Sequence, residues 1–170
     1  MVTLGLDIST TCVGYAFTED KKILDMGFID IKKQKTPKEK VFKVLDFLNN
    51  NSYIDDTINI NVEDNLSGFA GGRPSQQTIV KLAKFNAILC FMLEEMFGME
   101  VHNINPMTAR KNVFGKARIK GIKAKDFVKG QVEKLYETKK WCKTTTRGNW
   151  DKRNIDMYDG LVMSLYEKKA

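Results

Sequence analysis

The sequence is poor in the residues that build most soft-metal sites and covalent cross-links. It has one histidine, His102, and three cysteines, Cys12, Cys90 and Cys142, an odd number spread over 130 positions with no C-x-x-C pair. Neither a disulfide framework nor a zinc knuckle is indicated. No apolar run approaches the ~18 residues of a membrane span, and the start "MVTLGLDIST", with an acid at position 7, lacks the basic-then-apolar layout of a secretion signal. A soluble, cytoplasmic protein is expected. Repeats and low-complexity tracts are also missing, and the three prolines (Pro37, Pro74, Pro106) fall where segments change character. With 170 residues, 42% of them hydrophobic, the chain can bury one substantial core, so a single domain over 1–170 is expected.

What is present is an uneven charge. Between Arg110 and Arg153 there are 15 Lys/Arg against four acids, a local +11 within a total of +7, so the rest of the chain sums to −4. Such a concentration attracts polyanions, and the mixture of cations with Thr, Asn and Gly donors in "KTTTRGNWDKR" suits phosphate contacts.

The elements follow from periodicity. "VTLGLDIS" alternates, with Val2, Leu4, Leu6 and Ile8 on one side and Thr3, Gly5, Asp7 and Ser9 on the other, the two-residue period of a strand. "VGYAFTED" and "KILDMGFIDI" read as two further strands joined near Asp20 to Lys22, completing an antiparallel meander. A helix is expected after Pro37, a strand at "TININVED", a long core helix from Ser75 to Gly98, a short strand at "MEVHNINP", and weaker helices at "MTARKNVF" and "AKDFVKGQVEKLYE". The final helix is "NIDMYDGLVMSLY", with Asn154 as its cap. This order predicts an α/β fold: a mixed five-stranded sheet, an antiparallel three-strand meander plus parallel strands, with helices on both faces.

Four acids stand in unusual places. Asp7 lies inside the first strand and Glu63 closes another. Asp156 and Asp159 share one stripe of the apolar last helix with Gly160, whose missing side chain lets another backbone approach. Two carboxylates ~4 Å apart repel by ~4 kcal/mol at an effective dielectric of ~20, so they need a counter-charge. If the strands are neighbours and the last helix crosses their ends, the four converge. Hard oxygen donors without a His or Cys cluster favour Mg²⁺, with Mn²⁺ as substitute, and can hold two ions for phosphodiester hydrolysis. Asp64 points to the other side of a regular strand and is left out, and His102 is expected to be structural.

The blocks "LGLDISTTCVGYA", "INVED", "INPMTARKNVFGKARIKGIKAKDFV" and "NIDMYDGLVMSLY", spread from about Thr3 to Tyr166, resemble in order those of RuvC-type Holliday-junction resolvases of the RNase H-like nuclease superfamily. The resemblance implies an RNase H-like fold and a homodimer that cuts branched DNA at paired positions, leaving 5′-phosphate ends. It also implies that Asp7, Glu63, Asp156 and Asp159 are catalytic metal ligands, that Lys125 faces the scissile backbone, and that no nucleotide cofactor is used. Arg110, Lys111, Lys116, Arg118, Lys120 and Lys123 are expected DNA contacts. Where the family commonly places a stacking aromatic after its glutamate, Leu66 stands here, and Phe69 with Arg73 is the nearest substitute. Two alternatives stand beside this reading: a binder of branched DNA that does not cut, and an ATPase fragment suggested by the likeness of "GLDISTT" to the phosphate loop of actin and Hsp70.

Overall fold

The computed structural model describes residues 1–64 and 75–168. The strands are β1 (Val2–Ile8), β2 (Cys12–Glu19), β3 (Lys22–Asp30), β4 (Thr57–Glu63) and β5 (Val101–Ile104), in the spatial order β3-β2-β1-β4-β5. β1, β2 and β3 pair antiparallel, whereas β1–β4 and β4–β5 are parallel. The β2–β3 turn carries positive φ at Asp20 and Lys21. This is the mixed five-stranded sheet that the order of strand and helix patterns predicts, and its topology is the RNase H-like one that the resemblance implies.

The two faces of the sheet carry separate cores. Leu4, Leu6 and Ile8 of β1, Val13 and Phe17 of β2, and Ile60 and Val62 of β4 pack under α1 (Pro37–Asn49) and α2 (Gln76–Phe97). α1 opens with a capping box between Thr36 and Glu39; α2 opens on a Ser75 cap and closes at Gly98 in the left-handed conformation. The opposite face is covered by α3 (Pro106–Phe114), α4 (Ala124–Leu135) and α5 (Asn154–Ser164). None of the described helices is long and apolar enough to cross a membrane.

α5 lies directly on the strands because Gly5, Gly14 and Gly160 put no side chain between the backbones where they meet. A Cβ on Gly14 would fall 1.8 Å from the Asp156 carbonyl oxygen, and one on Gly5 would fall 2.1 Å from the Ser164 nitrogen and 2.2 Å from the Gly160 oxygen. At its far end the helix is tied to the sheet by Thr18, whose hydroxyl donates to the Ser164 carbonyl (3.1 Å), and by Asn61, whose amide donates to that of Met163 (2.9 Å). Ten of the eleven α5 residues are buried, Asp156 being the exception. Contacts on all sides thus explain why this helix is apolar around its circumference.

Asn154 is not the cap. Arg153 holds that position without a side-chain cap bond, and Asn154, fully buried, turns outward to a basic hairpin. Its side chain accepts from the Lys143 N–H (3.0 Å) and donates to the Lys143 carbonyl (2.9 Å), tying that hairpin to the start of α5. The hairpin is closed by a Thr144–Trp150 bridge and turns at Gly148 with φ 77°. Trp150 packs against Tyr158 beneath Lys129, and Trp141 lies under Lys140, so both tryptophans are held by local packing.

Candidate active site

Leu6 of β1 pairs with Val62 of β4, and the next residue along each parallel strand is an acid: Asp7 and Glu63. Both use the α5 side of the sheet, opposite the apolar residues that alternate with them. α5, held against Gly5 and Gly14, delivers Asp159 from above. One carboxylate oxygen from each of Asp7, Glu63 and Asp159 lies within 4.8 Å of the others, and all three residues are buried.

The electrostatics of this trio are unfavourable on their own. Burial, then the charges of Glu63, Asp159 and Asp156, hold the Asp7 carboxyl well above the usual range. Burial and Asp159 push Glu63 up to about 8, against the opposing pull of Arg110 and Lys125. Asp159 is also raised by burial, although Arg110 Nη2 donates to its Oδ1 at 3.0 Å. Glu63 Oε2 is buried with no hydrogen-bond partner among the described residues. A buried acceptor without a donor costs ~1–3 kcal/mol, and a hard cation bound among these oxygens would satisfy it. The residues therefore fit a divalent metal of the Mg²⁺ or Mn²⁺ type.

Asp156, expected as a fourth ligand, stands outside this group of mutually close oxygens. It lies one turn earlier on α5, hydrogen-bonded to the Cys12 thiol and 3.6 Å from Lys125 Nζ. Its carboxyl is raised by burial and drawn back by Lys125. The Lys125 side chain is 68% exposed, so the cation sits at the mouth of the site.

Arg110 departs from its expected place among the DNA contacts: it is buried, and its partner is Asp159. The signal was present in the helix period, since Pro106, Ala109 and Arg110 share the buried face of α3. Lys111, Lys116, Arg118, Lys120 and Lys123 are exposed on α3 and the loop leading to α4. Phe69 and Arg73 lie outside the described residues. His102 is on β5, 3.9 Å from a Glu100 oxygen and apart from the acid trio. Cys12 was missed as a neighbour of the site, although it shares its side of β2 with Gly14 and Ala16, beneath α5.

No protein-family model and no curated protein matches the sequence. Solved structures do. RuvC of Thermus thermophilus superposes with a TM-score of 0.61 at 16% identity, over 97% of this chain and 91% of that one. The T. thermophilus RuvC in complex with a Holliday junction substrate gives 0.65, with the same identity and coverage. This chain has the RuvC fold. Within that RuvC fold its acids occupy the ends of the two central parallel strands and the first turns of the closing helix, where backbone contact leaves no freedom in their spacing.

Proposed function

We propose that the protein is a metal-dependent, structure-selective DNA endonuclease, a single nuclease domain that resolves four-way or other branched junctions by paired phosphodiester hydrolysis. The observation that carries this reading is the buried trio Asp7, Glu63 and Asp159, with Glu63 Oε2 lacking a donor among the described residues. It is supported by a fold shared with a protein solved in complex with a Holliday junction substrate.

Asp7, Glu63 and Asp159 would hold the divalent cations, two per site in this proposal, with Asp156 completing the set. A bound ion supplies Lewis acidity toward the phosphodiester and lowers the pKa of the attacking water. The water oxygen forms the new bond to phosphorus, the bond to the 3′ oxygen breaks, and that oxygen takes up a proton, leaving 3′-hydroxyl and 5′-phosphate ends. Arg110 fixes Asp159 in one orientation. Lys125, exposed at the mouth and within reach of Asp156, neutralises charge on the strand as it breaks.

Lys111, Lys116, Arg118, Lys120 and Lys123 track the DNA backbone. Counted over both copies of a dimer, six to ten phosphate contacts imply a ~10³–10⁵-fold loss of affinity between ~50 and ~200 mM salt. Cutting two strands symmetrically calls for a homodimer, and α2 offers a surface for it: Val80, Ile88 and Phe91 form an exposed stripe, Phe91 being 58% accessible. The protein would work in the cytoplasm of a bacterium or a virus-infected cell.

The test is Mg²⁺-dependent incision of a synthetic four-way junction, run beside flap, fork and duplex. Cutting that disappears in Asp7→Asn while junction binding persists supports the reading. Binding by the wild type without incision in either Mg²⁺ or Mn²⁺ overturns it.

A further inference from the structure

A second basic site lies away from the Arg110–Arg153 region. Residues 9–11 turn the chain from β1 into β2, and the turn is closed by Ser9, whose hydroxyl donates to the Cys12 carbonyl (2.8 Å) and accepts from the Cys12 N–H (3.1 Å). On its outer side Lys40 of α1 donates to the Thr10 carbonyl. Lys40, Lys35, Lys81 and Thr10, with Pro37 and Phe85, line a cavity of about 100 Å³.

Three lysines thus line one small space, and none of them forms an ion pair with a described carboxylate. Burial, then the charge of Lys81, lowers the Lys40 pKa, as expected of a cation that lacks an anion. A merely solvated basic face would spread its lysines apart. Here three separate segments, the loop that precedes α1, α1 itself and α2, bring them together around a polar turn.

The turn also borders the acid site. Asp7 precedes Thr10 by three residues, so their Cα atoms are at most ~11 Å apart, a span that a few nucleotides of one strand can bridge. Cys12, at the other end of the turn, is hydrogen-bonded to Asp156.

We propose that Lys35, Lys40 and Lys81, around the 9–11 turn, form a subsite for a backbone phosphate of the DNA strand that enters the active site. The inference rests on the nuclease reading and adds to it a contact on the α1–α2 side of the sheet. It makes these lysines positioning residues, which fix where along the strand the scissile phosphate meets the acids.

Binding of a synthetic four-way junction, measured across a salt series in Ca²⁺ to prevent cutting, provides the test. Each phosphate contact contributes about −0.9 to the slope of log K against log salt. Lys81→Ala should make the slope shallower by about 1, and Lys35→Ala/Lys81→Ala by about 2, while Lys81→Arg keeps it. Both alanine variants leave the Lys40 contact to Thr10 in place, and Mn²⁺ should raise their melting temperature as much as that of the wild type, reporting an intact acid site. An unchanged slope in Lys35→Ala/Lys81→Ala, with the wild type binding normally, overturns the subsite and leaves the nuclease reading standing. Protection of the wild type by ATP, lost in that double variant with the junction slope unchanged, would assign the cavity to a nucleotide phosphate and also overturn it. A wild type that binds no junction overturns both.

Discussion

Arg110 Nη2 lies 3.0 Å from Asp159 Oδ1, with the two side chains only 10% and 6% exposed. The pair joins α3 to α5 and places one fixed, buried positive charge beside three buried carboxylates, which otherwise have only the exposed Lys125 to oppose their repulsion. Removing one partner of a buried pair costs about 3–5 kcal/mol. Arg110→Gln should therefore lower stability in urea denaturation, by less at pH 5 than at pH 8, because a stranded Asp159 can take up a proton. Divalent metal should raise the melting temperature of this variant by more than that of the wild type, since the ion then supplies the missing charge.

The acid trio predicts an inverted pH dependence in the absence of metal. Glu63 is raised from an ordinary 4.5 to about 8, and Asp7 and Asp159 move in the same direction. Between those limits the native state retains a proton that the unfolded chain has released. The stability contributed by protonated Glu63 is thus fully present below pH 4.5 and is lost as pH rises through 8. Metal binds the ionised form, so the stabilisation given by Mn²⁺ should grow over the same window. Melting temperatures recorded with EDTA and with Mn²⁺ from pH 5 to 9 check both slopes.

Neutral isosteres should separate stability from function. Asp7→Asn and Glu63→Gln remove a repelling charge without changing shape, so each should raise the metal-free melting temperature at pH 8 by several degrees. Each should also abolish the Mn²⁺-induced shift and reduce incision at least ~10³-fold, since electrostatic elements of this type contribute roughly 10²–10³ each and a metal ligand more. A variant that loses activity together with metal-free stability would contradict this account.

The glycine contact beneath α5 predicts a graded series. A methyl on Gly14 or Gly5 meets backbone atoms at 1.8 and 2.1 Å, whereas one on Gly160 meets the Gly14 backbone at 2.9 Å. Overpacking costs about 1–3 kcal/mol and more where backbone must move. Gly14→Ala and Gly5→Ala should yield unstable or insoluble protein, and Gly160→Ala a smaller loss, partly offset by the ~1 kcal/mol preference of helices for alanine. Solubility and denaturation midpoints will rank the three.

Asn154 offers a test of the basic hairpin. Its replacement by alanine leaves the Lys143 N–H and carbonyl without their buried partner, at about 1–3 kcal/mol per group. Asn154→Ala should lose stability and weaken junction binding while the Mn²⁺-induced shift survives in the folded protein. Fluorescence titration of labelled junction beside thermal melts measures the two effects.

Much of this protein is written in local pattern. The alternation of β1 assigns Leu4, Leu6 and Ile8 to one face and Asp7 to the other, because successive side chains of a strand must diverge. The caps Thr36, Ser75 and Gly98 mark helix ends for reasons internal to a few residues. Asp7, Glu63 and Asp159 stand out for the same local reason, as acids where a buried strand or helix face excludes unpaired charge. Partnership is different, because it depends on which segments the sheet makes adjacent. Only the parallel pairing of β1 with β4 and the seating of α5 on Gly5 and Gly14 decide that three acids meet while Asp156 turns to Lys125 and Cys12. The same seating turns Asn154 from a helix cap into an anchor, and the packing of α3 on α5 makes Arg110, expected among the DNA contacts, the counter-charge of Asp159. Spacing along a chain fixes the side on which a residue lies, whereas the charge it faces is fixed by contacts made dozens of residues away.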